Sequence, residues 1–198
     1  MKRIIFVRHG LTKWNEERRI QGHSDEGLSQ NGIVQTLKTI DYIAGNKELL
    51  PQLIYSSDLT RTKILGEGLA NKTGIPIIIA PELRETDYGS WSGKTLQEIN
   101  AKDVFSAKDI IYSEKYGGEK QEEIMLRVEK IKKVIEERKE EKILIVSHGG
   151  FIRFLITYFT GIKSEYADIF MIQNCSISIL EKQKDIYKIK LLNSLSHL

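Results

Sequence analysis

Cysteine is nearly absent: Cys175 stands alone in 198 residues, so no internal disulfide can form. A reducing cytoplasm is the expected setting. Long apolar runs are missing too. No stretch approaches the roughly 18 consecutive apolar residues of a membrane-spanning helix, so no membrane partner is expected. The opening "MKRIIFVRHG" turns polar too soon to read as a secretory leader. Charge of one sign is also lacking, since 30 basic and 27 acidic residues leave only +3. Such a mixed surface permits small anionic substrates and offers no polybasic face for nucleic acid. Prolines number three, and there is no internal repeat or low-complexity linker. A single domain spanning 1–198 is therefore expected. With no H-E-x-x-H and no cysteine cluster, neither a metal site nor a cofactor is expected.

What is present is an alternation of short apolar runs with helical patterns. "KRIIFV" is β-branched and aromatic and stops at Gly10, as a strand would. Ile33, Leu37, Ile40 and Ile43 recur at helical spacing between Ser29 and Ala44, with Gly45-Asn46 as the stop. "LIY" follows Pro51, and Asp58 is placed to cap a helix running to about Lys72. "IPIIIA" restarts the chain as a strand, and "PELRETDYGSWSG" reads as loop. From Thr95 to Tyr116 the pattern is weakly helical. Glu119 to Lys142 carries Ile124, Val128, Ile131 and Ile135 as an apolar stripe beside a charged face. "KILIV" is a further strand, "FIRFLITYFTG" a helix, and "CSISILEKQKDIYKIKLLN" a hairpin turning at Gln183-Lys184-Asp185. The pattern predicts an α/β fold, a three-layer sandwich around a mostly parallel sheet with a C-terminal β-hairpin.

In such sheets ligands sit at the carboxyl ends of the strands. The first run ends on Arg8-His9-Gly10, followed by Thr12 and Asn15. The second ends on Ser56, Ser57, Asp58 and Arg61, and "KILIV" ends on Ser147-His148-Gly149-Gly150. If these strands are parallel neighbours, two imidazoles and two guanidiniums converge at one edge. Arginine grips phosphate or carboxylate in a bidentate way, and glycines let backbone N–H groups approach. Each residue also has a plainer reading. A histidine after a strand is commonly a satisfied surface residue, and Arg61 could lie along the core surface with its head in water.

Taken together, "VRHGLTKWN", "QGHSDEGLSQNG", "YSSDLTRT", "ELRETDYGSWSG", "GGEKQEEIMLRV" and "VSHGG" resemble, in order, the motifs of the histidine phosphatase superfamily, which includes the cofactor-dependent phosphoglycerate mutases. The resemblance implies that His9 is the nucleophile and Glu85 the general acid and base. Arg8, Arg61, Asn15 and His148 would hold the phosphoryl oxygens, with Gln21, Gly22 and Gly149 lining the substrate side. It departs from the family at "TKILGEGL", at Gly27 where proline is usual, and at Lys120 where serine is usual. These positions bear on substrate contacts rather than on the phosphoryl cradle.

The interval from Glu85 to His148 is 148 − 85 = 63 residues, short beside the mutase branch. A small helical lid is expected over about 93–118, with Lys94, Lys102, Lys108 and Lys115 but no arginine. The expected activity is hydrolysis of a small phosphorylated metabolite through a phosphohistidine, without metal. A phosphoglycerate mutase is the alternative, and a non-catalytic phospho-ligand binder is a second one. A homodimer is allowed by the sequence. His23 and His197 are expected at the surface, and Cys175 in the core.

Overall fold

The computed structural model describes residues 1–99 and 116–198. Most of the lid expected over 93–118, including Lys102, Phe105, Lys108, Tyr112 and Lys115, lies outside them. The strands are β1 (Arg3–Arg8), β2 (Leu53–Ser56), β3 (Ile77–Ile79), β4 (Lys142–Ser147), β5 (Ile177–Gln183) and β6 (Ile186–Ser194). The helices are α1 (Lys13–Glu16), α2 (Gln30–Gly45), α3 (Thr60–Thr73), α4 (Gln121–Glu137) and α5 (Gly149–Thr160).

The strands form one sheet in the order β3-β2-β4-β1-β5-β6. The first four are mutually parallel, whereas β5 runs antiparallel to β1 and pairs with β6 as a hairpin. Side chains of a strand alternate between faces, so each central strand feeds two cores. Ile4, Phe6, Ile143 and Ile145 point to one side, where Ile124, Val128, Ile131 and Ile135 of α4 and Phe151 and Leu155 of α5 cover them. Ile5, Val7, Leu144 and Val146 point to the other, beneath Ile40 and Ile43 of α2 and Leu65 and Leu69 of α3. This is the expected three-layer α/β/α arrangement. Burial of each such side chain contributes about 1.5–3 kcal/mol. Cys175 is fully buried in the second core, as expected.

Several local expectations are corrected. Ile33 and Leu37 are 41% and 57% exposed, because α2 turns a different stripe inward. Its buried residues are Gly32, Thr36, Thr39, Ile40 and Ile43. A methyl group on Gly32 would lie 1.9 Å from the Leu11 carbonyl oxygen. That close backbone approach, rather than apolar content, sets the helix rotation. Asp58 does not cap α3. It is paired with Arg84 through bonds of 2.8 and 2.5 Å, and the cap residue Leu59 offers no side-chain bond. Asp25, distant in sequence, does the capping by accepting from the Thr60 amide and hydroxyl, both at 2.7 Å. Helix α4 stops at Glu137, because the chain must extend to enter β4 at Lys142. His23 and His197 are half-buried rather than simply at the surface. His23 bonds the Glu85 carbonyl, and His197 bonds Thr39 and stacks on Tyr42.

Candidate active site

The parallel register sets Arg8 opposite Ser147, with Ser56 opposite Val146. His9 and His148 therefore leave adjacent strands side by side, their ring centroids 5.2 Å apart. Both are buried. Each is held well below its ordinary pKa of 6.5, by burial first and then by the charge of Arg61; Arg8 adds to both, while the bond to the Gly10 carbonyl opposes the shift at His9. Two neutral imidazoles at one strand edge thus replace the pair of cations that composition alone would suggest.

Their hydrogen bonds give them opposite tautomers. His9 Nδ1 lies 2.7 Å from the Gly10 carbonyl oxygen. A carbonyl only accepts, so Nδ1 carries the proton and Nε2 keeps its lone pair. His148 Nδ1 accepts from Arg61 Nε at 3.2 Å. A guanidinium only donates, so the His148 proton sits on Nε2, 3.0 Å from Ser57 Oγ. The Nε2 of one ring is an acceptor, that of the other a donor.

Arg61 is the largest fully buried side chain among the described residues, 1% exposed. The carbonyl oxygens of Ser24 and Gly22 accept from its two terminal nitrogens at 2.5 and 2.8 Å. Burial lowers its pKa to about 10, which leaves it cationic at neutral pH. Arg8 donates to the Ile172 carbonyl at 2.8 Å, and burial lowers its pKa too. Gly149 gives Arg8 room, since a methyl group there would stand 3.2 Å from the guanidinium carbon.

Glu85 comes from the loop between β3 and α4, yet its carboxylate sits on the first turn of α5. It accepts from the amides of Gly150 and Phe151 at 3.0 and 2.9 Å, and from Thr86 at 3.0 Å. A methyl group on Gly150 would fall 2.6 Å from Glu85 Oε1. The two glycines after His148 thus serve different neighbours. The Glu85 loop is fixed from outside by Arg127, which donates to the carbonyls of Glu82 and Arg84 and forms a two-pronged ion pair with Glu119 at 2.7 Å per prong. His23 bonds the Glu85 carbonyl from the opposite side at 2.8 Å.

These groups wall a cavity of about 340 Å³. Arg8, His9, Asn15, Gln21, Gly22, Arg61, Glu85 and Gly149 all line it, and His148 stands directly behind His9 and Arg61. All nine sequence-predicted residues therefore gather at one place. Gln21 keeps its side-chain oxygen buried and without a hydrogen-bond partner among the described residues. Sequence reasoning missed Tyr88, Arg153 and Asn174 on the cavity wall, and Ser57 as the partner of His148. Asn174 precedes β5, which runs antiparallel to β1 and so starts at the carboxyl end of β1. Inspecting the starts of antiparallel strands as well as the ends of parallel ones would have found it. Among the described residues, no group of three or more His, Cys, Asp or Glu is arranged to hold a metal ion. No helix among them is long and apolar enough to cross a membrane.

An α/β sandwich carrying two histidines of opposite tautomer, two buried arginines and a helix-mounted carboxylate defines an anion-binding, phosphoryl-transfer type of centre. The family model described as "Histidine phosphatase superfamily (branch 1)" matches residues 4–195. This chain belongs to the histidine phosphatase superfamily. It is 31% identical over 189 residues to a probable phosphoglycerate mutase GpmB of Escherichia fergusonii, covering 93% of this chain and 86% of that one. A mutant phosphoserine phosphatase of Entamoeba histolytica, solved with phosphoserine, superposes with a TM-score of 0.82 at 26% identity over 100% of both chains. A putative alpha-ribazole-5'-P phosphatase of Escherichia coli gives 0.82 at 25% identity, covering 98% of this chain and 96% of that one.

Proposed function

We propose that this chain is a phosphomonoester hydrolase that acts on a small phosphorylated metabolite through a phosphohistidine at His9, with no metal in the reaction. The observation that carries the reading is the His9 tautomer: its Nδ1 proton is committed to Gly10, so the Nε2 lone pair is the free end. In the first half-reaction Nε2 attacks phosphorus in line and the P–O bond to the alcohol breaks. Glu85, in its acid form, gives the departing oxygen its proton. In the second, the Glu85 carboxylate takes a proton from water, the water oxygen attacks phosphorus, and the N–P bond breaks. Inorganic phosphate leaves and the electron pair returns to Nε2. Arg8, Arg61, the amide of Asn15 and the Nε2–H of His148, once it leaves Ser57 Oγ, donate to the phosphoryl oxygens, where negative charge must be held in the transition state. Gln21, Gly22 and Gly149 shape the wall against which the alcohol rests.

The guanidiniums supply the positive charge that a divalent ion would otherwise bring. The proposal takes 1–198 as one domain, since both cores share one sheet, and places it in a reducing cytoplasm on the strength of the buried free thiol at Cys175. Hydrolysis of p-nitrophenyl phosphate and a panel of metabolite phosphates, with and without EDTA, tests the reading. EDTA-resistant release of phosphate that is lost in His9→Ala supports it. Wild type as inert as His9→Ala across the panel would replace it with a ligand-binding role, and loss with EDTA would remove the metal-free step. The names of the curated relatives favour a second reading, a phosphoglycerate mutase. That enzyme would interconvert 2- and 3-phosphoglycerate and need a bisphosphoglycerate primer.

A further inference from the structure

The nucleophile loop is held by a turn that belongs to neither β1 nor its parallel neighbours. Asn174 and Cys175 lie just before β5, which pairs antiparallel with β1. Cys175 adopts a left-handed backbone conformation, φ +59°, costly for a residue with a side chain. In that conformation its amide reaches the carbonyl oxygens of Arg8 and His9 at 3.0 and 3.2 Å. The side-chain amide of Asn174 projects alongside. Its Nδ2 donates to the His9 carbonyl at 3.1 Å, the Gly10 carbonyl at 3.2 Å and Asn15 Oδ1 at 3.0 Å. All three acceptors are oxygens, so this end of Asn174 must be its NH₂ group.

We infer that Asn174 is a positioning residue that sets both the tautomer of His9 and the amide orientation of Asn15. The first effect runs through Gly10. Its carbonyl receives the His9 Nδ1 proton as well as Asn174 Nδ2, so the group that selects the tautomer is pinned from a second direction. The second effect is direct. Asn15 Oδ1 accepts from the Thr12 amide and from Asn174, which leaves the Asn15 NH₂ as the end free to donate to an anion. Turned the other way, Asn15 would present an oxygen to a phosphoryl oxygen. One side chain thereby presents a lone pair at His9 and a donor at Asn15.

The test is ¹⁵N NMR of the imidazoles at neutral pH in wild type, Asn174→Ala and Asn174→Asp, with thermal melts to gauge folding. Wild-type His9 gives the Nδ1–H tautomer alone. Asn174→Ala admits the Nε2–H form and lowers kcat about 10²-fold, the order expected for a reacting group displaced by an ångström, with a smaller change in KM. Asn174→Asp has the same shape but no donor. It loses more activity and moves the acid limb of the pH–rate profile upward, because a carboxylate beside His9 favours the imidazolium. The double variant Asn15→Ala/Asn174→Ala loses less than the product of the singles, since part of the Asn174 effect acts through Asn15. A folded Asn174→Ala or Asn174→Asp that keeps wild-type tautomer and kcat overturns the inference. So does a loss that only tracks the fraction folded. The kinetic arm rests on the phosphatase reading and the NMR arm does not. A wild type inert toward every ester with an Asn174-dependent tautomer would therefore sink the phosphatase reading and leave this inference standing.

Discussion

The ends of β1 and β4 carry nearly the same residues, Arg8-His9-Gly10 and Ser147-His148-Gly149-Gly150, in register on adjacent strands. They are nonetheless prepared for opposite tasks. At β1 the ring proton is tied to the local backbone, so the inner nitrogen is a lone pair. At β4 a buried guanidinium takes the lone pair, so the inner nitrogen is a donor. Chemical role here belongs to the hydrogen-bond partner, since the residue type, the strand end and the burial are shared.

Removing each ring breaks the comparison most sharply. His9→Ala should lower kcat by on the order of 10⁴–10⁶, as loss of a nucleophile does. His148→Ala should cost only about 10²–10³, the range for one transition-state donor. Equal losses in steady-state phosphate release would mean that the two rings are not specialised. Glu85→Gln follows, with a fall of about 10²–10⁴. The deficit should be large for alkyl phosphates and small for p-nitrophenyl phosphate, whose leaving group needs no proton; a uniform deficit would remove the acid role. Gly150→Ala sharpens the difference between the two glycine-bearing ends. Its methyl group would displace Glu85, 2.6 Å away, lowering kcat as well as stability by about 1–3 kcal/mol. Activity and melting temperature at wild-type levels would show that the carboxylate is not held where it is described.

The smallest effect is thermodynamic. Both rings bind a proton less readily folded than unfolded, and burial lowers the His197 pKa as well. An unfolded chain gains those protons once pH falls below 6.5, so stability should decline between pH 6.5 and 5, by at most ~1.4 kcal/mol per pH unit per ring. The depressed aspartates and glutamates respond only at lower pH. Denaturant melts of wild type and His148→Asn check this, and an identical slope in the two would contradict the depressed value at His148.

Much of the fold is visible in the sequence because buried parallel strands are unambiguous runs, as in "KRIIFV" and "KILIV", and because Gly74 and Gly161 mark helix ends by their left-handed conformation. The face of α2 was not visible. Periodicity favoured Ile33 and Leu37, while Gly32 and Thr36 were selected by contact with the backbone after β1. Asp58 reads as a cap because caps are judged locally, whereas the carboxylate that accepts from the helix start, Asp25, is brought in by tertiary structure. That these nine residues gather at one cavity was legible from strand ends and motif order. Their tautomers were not, since these depend on Arg61 reaching His148 across 87 positions of chain. Asn174 shows only in its place at the start of an antiparallel strand, and its partner, the His9 carbonyl, lies 165 residues away.

The central claim is that His9 Nε2 takes the phosphoryl group while His148 only donates to it. Rapid quench of the wild type with a labelled phosphomonoester, followed by peptide mapping and ³¹P NMR, tests it most directly. A phosphohistidine is expected on Nε2 of His9, absent in His9→Ala and still formed, more slowly, in His148→Ala. Label on Nδ1, on His148, or nowhere during demonstrable turnover would contradict it.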